Sequence, residues 1–169
     1  MGLDMYLEIR KNDYRSKYYK DKGCKMKLEY PKDITEFIPN PTDLTISRQT
    51  NYEVGYWRKA NQIHNWFMQN CARRDEYDNP IDDCRPIEIT VDKLEALLET
   101  CKKVLADHSL AKELLPTADG CFFGSTTYDE YYFGEIERTV EIIEPVLKFA
   151  KHKLEIEDYV WEVYYQASW

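Results

Sequence analysis

The chain reads as an α+β domain: a mainly antiparallel sheet containing strands from both ends of the sequence, packed against about three amphipathic helices. Three observations predict this. Leu3, Met5, Leu7 and Ile9 alternate with Asp4, Tyr6, Glu8 and Arg10, the period-two pattern of a half-buried strand. Tyr159, Trp161, Val163 and Tyr165 alternate in the same way with Val160, Glu162, Tyr164 and Gln166. Between these ends lie three stretches with apolar residues at helical spacing. With both ends in one sheet, residues 1–169 form a single domain. A chain of this size buries roughly 70% of its unfolded surface.

After the first strand the chain turns basic. Arg10, Lys11, Arg15, Lys17, Lys20, Lys22, Lys25, Lys27 and Lys32 are interleaved with Tyr14, Tyr18, Tyr19 and Tyr30, and Gly23 divides two arms. This pattern predicts a protruding hairpin over 11–32. Pro31, Pro39 and Pro41 then punctuate a short helical turn and a loop. Leu44, Ile46, Arg48, Thr50, Tyr52 and Val54 alternate as an extended segment that runs into the first helix, expected over about 56–71. An acidic loop, Asp75 to Cys84, precedes a short strand over Arg85–Ile89.

The second helix is expected over about 91–106. It starts after the N-cap residue Thr90 and carries Val91, Leu94, Leu97, Leu98, Cys101, Val104 and Leu105 on one face. A helical turn near Leu110–Leu115 ends at Pro116, and Cys121-Phe122-Phe123 reads as a buried strand. The third helix is expected over about 128–150, opened by a Thr127/Glu130 capping box and kinked or ended early by Pro145. Its buried side is expected to hold Tyr132, Ile136, Val140, Ile143, Leu147 and Ala150.

Composition narrows the function classes. The first seven residues lack a basic leader and no apolar run approaches the ~20 residues of a membrane helix, so a signal peptide or span is not expected. Five widely spread cysteines without a Cys-x-x-Cys pair point to reduced thiols in a cytoplasmic protein. The net charge of −8 is asymmetric: residues 1–85 hold 15 Lys/Arg against 14 Asp/Glu, and residues 86–169 hold 8 against 17. The second half therefore repels phosphates and suits docking on a basic surface, besides aiding solubility.

The densest mixture of aromatic, cationic and amide side chains lies at Glu53–Phe67. On a helical wheel Tyr56, Trp57, Ile63, His64 and Phe67 share an apolar arc of roughly 140°. Arg58, Asn61 and Asn65 flank it, and Trp66 points outward. His64 has two readings: a structural histidine bonded inside the fold, or part of a pocket edge. There Arg58, Asn61, His64 and Asn65 would hold a polar or anionic ligand, with His64 as acid or base near neutral pH. His64 and Cys71, seven apart, lack the paired ligands of a metal site, and neither a metal nor a cofactor is expected.

The second constellation is Gly120–Phe133. Its glycines and hydroxyls before a helix start could cradle phosphate, but Asp129 and Glu130 already occupy the positive end of the dipole. Its other reading is a tyrosine contact patch around Tyr128, Tyr131 and Tyr132. Asp75, Asp78, Asp82 and Asp83 lack calcium-loop spacing, and Cys121 and Ser125 lack the surroundings of nucleophiles. The basic hairpin, Lys17 to Lys32, is the one candidate for nucleic acid; its other reading is a lysine-protected edge.

The opening Met1-Gly2-Leu3-Asp4-Met5-Tyr6-Leu7, the Gly55-Tyr56-Trp57-Arg58-Lys59-Ala60-Asn61 stretch, Phe122-Phe123-Gly124-Ser125-Thr126 and the ending Tyr164-Tyr165-Gln166-Ala167-Ser168-Trp169 together resemble a family of small uncharacterised proteins of bacteriophages, prophages and some bacteria. The similarity runs end to end, with residues 11–45 variable. It implies a phage accessory protein in the cytoplasm of a bacterial host. The leading expectation is a non-catalytic binding protein, an anti-CRISPR-like inhibitor of a host defence complex, with a host protein or protein–nucleic-acid complex as partner. Trp66, Tyr128, Asp129, Tyr131, Glu137 and Glu141 would form its contact surface. The alternative is a nucleotide or phosphorylated-ligand protein using the Arg58/Asn61/His64 edge.

Overall fold

Alternating side chains make the first strand, β1 (Asp4–Arg15), the centre of the structure. Leu3, Met5, Leu7 and Ile9 enter the core, while Asp4, Tyr6, Glu8 and Arg10 stay half-buried on the opposite face. In the computed structural model, residues 2–15, 46–156 and 160–169 are described. β1 pairs antiparallel with β2 (Ile46–Arg58) on one side and with the C-terminal strand β4 (Trp161–Ser168) on the other. A two-residue strand, β3 (Ile87–Glu88), completes the order β2-β1-β4-β3. The expected antiparallel sheet with strands from both ends is present.

Among the described residues four α-helices accompany the sheet: α1 (Asn61–Cys71), α2 (Val91–Ala106), the short α3 (Ala111–Leu114) and α4 (Glu130–Glu155). α2 and α4 pack along each other, tied on the surface by Lys102–Glu144 at 2.5 Å and by Lys151–Glu95. α4 meets the inner sheet face where Trp57 Nε1 donates to Thr139 Oγ1 at 2.9 Å, both groups buried. Gly55 permits this approach: a Cβ there would stand 2.5 Å from Ile142 Cγ2. No helix among the described residues is long and apolar enough to cross a membrane.

Several expectations need correction. The first helix starts at Asn61, not Tyr56, because the alternation of β2 continues through Gly55, Tyr56, Trp57 and Arg58. Lys59, at φ 60°, then turns the chain into the helix and donates its N–H to Leu3 O at 2.7 Å. Cys121-Phe122-Phe123 is a turn rather than a buried strand: Cys121 and Phe122 are exposed, and only Phe123 enters the core. α4 begins at Glu130 and continues past Pro145 to Glu155. That proline lies on the exposed side, where water can satisfy the carbonyl it leaves without a donor. Val140 and Ala150 are half-buried. Thr90 occupies the N-cap position of α2 without a side-chain bond. Of the expected hairpin, residues 11–15 belong to β1; Lys17 to Lys32 lie outside the described residues.

Candidate functional site

α1 carries its polar residues inward. Seven of its 11 residues are buried, Asn61, Gln62 and His64 among them, because sheet, helices and loops surround it. Buried polar groups need partners, and each of these has one. Asn61 Nδ2 donates to Phe123 O at 3.1 Å and Ser125 O at 2.8 Å, while its Oδ1 accepts from Ala118 N at 3.1 Å. Gln62 Nε2 donates to Tyr132 O, and the half-buried Asn65 donates through Nδ2 to Pro116 O. These amides fasten the 116–127 loop and the start of α4 to α1.

His64 is 2% exposed and bonds through both ring nitrogens: Nδ1 lies 2.8 Å from Tyr165 Oη, and Nε2 lies 3.0 Å from Asp82 Oδ2. Complete burial pushes the Tyr165 phenol well above its ordinary range, helped by the nearby Asp82 carboxylate. The Asp82 carboxylate can only accept, so the Nε2–H donates to it, and in the neutral imidazole Nδ1 then accepts from the Tyr165 O–H. Phe123 and Trp169 flank the imidazole at centroid distances of 5.2 and 5.7 Å. An imidazole between a carboxylate and a hydroxyl has the order of a proton relay. Here the hydroxyl end is sealed in the core, where no substrate can reach it. The chain of bonds joins α1, the acidic loop and β4.

Arg58 does not belong to this group. It lies at the end of β2 on the outer sheet face, with Nε 3.9 Å from Asp4 Oδ1, and its backbone carbonyl accepts from Tyr131 Oη at 2.5 Å. The structure therefore does not bring Arg58, Asn61, His64 and Asn65 together as one open edge. Trp66 is a second correction. It is 8% exposed and packs edge-on against Phe67 at 5.6 Å, since α1 has little solvent-facing side.

At the start of α4, Asp129 is the N-cap rather than Thr127. Its Oδ1 accepts from Tyr132 N at 3.1 Å and its Oδ2 from Thr127 Oγ1 at 2.6 Å. The Thr127 hydroxyl, then the Tyr132 amide, hold its carboxyl below the usual range. Ser125 and Thr127 hydroxyls bond to each other at 2.7 Å, so the place of a phosphate is taken by side chains of the loop. Tyr128 is half-buried against Tyr132; Tyr131, Glu137 and Glu141 are exposed.

The acidic loop is internally tied as well. Asp75 accepts from the backbone of Tyr77 and Asn79, and Asp83 pairs with Arg73 and Arg85. Among the described residues no group of three or more His, Cys, Asp or Glu could hold a metal ion. A cavity of about 370 Å³, lined by residues including Ile89, Val91, Lys153, Trp161 and Val163, involves none of the candidate binding residues named from sequence.

Sequence reasoning missed Asp82 and Tyr165 as the partners of His64, both far from it along the chain. It also missed the outer sheet face, formed by Tyr6, Glu8, Arg10, Glu53, Tyr56, Glu88 and Tyr164. The polar half of each strand's alternation was the available signal. No protein-family model, curated protein or solved structure matches the chain.

Proposed function

We propose that this is a non-catalytic binding protein that docks an acidic surface on a basic, nucleic-acid-handling protein. In this reading, which draws on the resemblance noted above, the partner belongs to a bacterial host and the chain is a phage accessory protein of the cytoplasm, an anti-CRISPR-like inhibitor of a defence complex. One observation carries the preference for binding over catalysis. Asn61, His64 and Asn65, the residues a small-ligand site would use, direct their polar atoms to Phe123, Ser125, Tyr165, Asp82 and Pro116 within the fold. The excess of carboxylates over residues 86–169 supports the choice of a basic partner. Trp66 drops out as an anchor because it is buried; Tyr131, Glu137 and Glu141 remain accessible.

The test is affinity capture from phage-infected host lysate across a salt series, with native protein and a Glu137→Lys/Glu141→Lys variant. Expected is a stoichiometric partner whose retention falls with salt and with charge reversal. Retention unaffected by both, or thermal stabilisation by nucleotides without any protein partner, overturns the proposal.

A further inference from the structure

One row of the outer sheet face takes a residue from each of the four strands: Glu53 stands opposite Glu8, Glu8 opposite Tyr164, and Tyr164 opposite Glu88. The register irregularity in β2 creates this row. Gly55 pairs with Leu7, Val54 is passed over, and Glu53 falls opposite Glu8. Like charges directly opposite each other repel, so this alignment works against the sheet.

A cation within the sheet answers part of the row. Arg10 places Nε and Nη2 3.0 and 2.9 Å from Glu8 Oε2, and its guanidinium lies 4.0 Å from the Tyr164 ring centroid. The face thus already contains an arginine held between a glutamate and a tyrosine. Two similar positions pair with no cation among the described residues. Exposed Glu53 neighbours the Tyr6–Tyr56 pair, whose rings lie 5.4 Å apart, and exposed Glu88 stands opposite Tyr164. Among the described residues neither Glu53 nor Glu88 has an ion-pair partner.

We propose that this row is a docking surface for an extended, arginine-bearing segment of a basic protein. One guanidinium binds Glu53 over Tyr6 and Tyr56, and a second binds Glu88 beside Tyr164. The inference rests on the binding role proposed above and adds to its α4 surface a second one with a stated partner chemistry. Arginine fits better than lysine because its planar fork pairs with carboxylates and stacks on aromatic rings. Nucleic acid fits poorly: among the described residues Asp4, Glu8, Glu53, Glu88 and Glu162 outnumber Arg10 and Arg58 on this face. β2 and β3 are three strand spacings apart, about 14 Å, which matches side chains four residues apart on an extended peptide.

The probe is an eight-residue peptide with arginine at its second and sixth positions and serine or threonine elsewhere, titrated against full-length labelled protein by NMR. Expected are amide shifts centred on Glu8, Glu53, Glu88 and Tyr164. A Glu53→Gln/Glu88→Gln variant, with its fold checked by the same spectra, weakens binding about tenfold, and replacing both arginines by lysine weakens it about threefold. Glu76→Gln/Glu113→Gln, a charge-matched control at exposed positions off the sheet, changes it less than about twofold. Shifts spread over every acidic surface, equal loss in the control, or tighter binding of an oligothymidine at the same row overturns the inference. If host-partner capture depends on Glu137 and Glu141 while the peptide ignores the row, this surface fails and the binding role stands. A peptide that maps to the row, with no salt-dependent host partner, removes the role and leaves the row as an arginine site.

Discussion

Replacing Tyr165 by phenylalanine removes one oxygen from a buried polar connection between α1 and β4. The Tyr165 ring is fully buried and stacks on Phe67 with centroids 3.9 Å apart, so packing is largely preserved. What is lost is the 2.8 Å bond to His64 Nδ1, which leaves a ring nitrogen of a 2% exposed histidine without a donor. An unsatisfied buried acceptor costs about 1–3 kcal/mol. At the middle of that range, roughly 2 kcal/mol, the melting temperature of a chain this size falls by about 4–8 °C. Urea unfolding followed by tryptophan fluorescence measures the loss, with an unchanged slope as the check that the unfolded state is unaffected. The double variant His64→Leu/Tyr165→Phe removes both polar partners and is expected to lose at least about 1 kcal/mol less than the two single variants summed. A Tyr165→Phe variant within about 0.5 kcal/mol of native, or strict additivity, would refute the tautomer and the structural role assigned to His64.

Three further outcomes follow from other contacts. Gly55→Ala sets a Cβ 2.5 Å from Ile142 Cγ2 and 3.2 Å from Leu7 Cβ. It should cost about 1–3 kcal/mol in urea unfolding, with part regained in Gly55→Ala/Ile142→Ala; additive losses would contradict the close approach. For thiols, burial pushes Cys101 up to about 12 and Cys71 to about 11, whereas Cys84 and Cys121 are exposed. Peptide mapping after brief iodoacetamide treatment at neutral pH should find Cys84 and Cys121 labelled first, Cys71 later and Cys101 only on unfolding; early Cys101 labelling would contradict its burial. The depressed carboxyl of Asp129 stabilises α4 above the ordinary aspartate range and loses that effect as pH falls through its folded value. Protection of the Tyr132 amide, corrected for intrinsic exchange, should therefore fall below about pH 4 and become less pH-dependent in Asp129→Asn. Equal protection at pH 3 and pH 6 in native protein would remove Asp129 from the cap.

The legible parts of the fold were those where periodicity and burial agree. Leu3–Ile9 and Trp161–Ala167 alternate because one sheet face is covered by helices, and Leu94, Leu97, Cys101 and Val104 recur because one side of α2 meets α4. Tyr56–Lys59 misled the helical wheel for a local reason. Bulky aromatics and an arginine suit either a helix or a strand, and only the left-handed turn at Lys59 separates β2 from α1. Trp66 misled it because an amphipathic wheel assumes one solvent side, which a helix enclosed by its neighbours lacks. Inward placement of His64 could be read from spacing; Tyr165 and Asp82 could not, since only tertiary structure brings residues 101 and 18 positions away to its two nitrogens.

A polar group with partners on every side explains itself by stability, whereas a charge placed against its own sign needs another reason. Glu53 is the clearest such charge, set opposite Glu8 by the register irregularity at Val54. Glu53→Lys would exchange repulsion for attraction across β1 and β2, a gain of about 0.2–1 kcal/mol by the usual worth of cross-strand pairs. It would also close the position proposed for a guest arginine. The expected outcome is a protein slightly more stable in urea unfolding and at least about tenfold weaker for the arginine peptide, the opposed pair of effects found where function is maintained against stability. A neutral or destabilising Glu53→Lys would show that Arg10 already balances the row. Stabilisation without loss of peptide affinity would show that Glu53 faces solvent only.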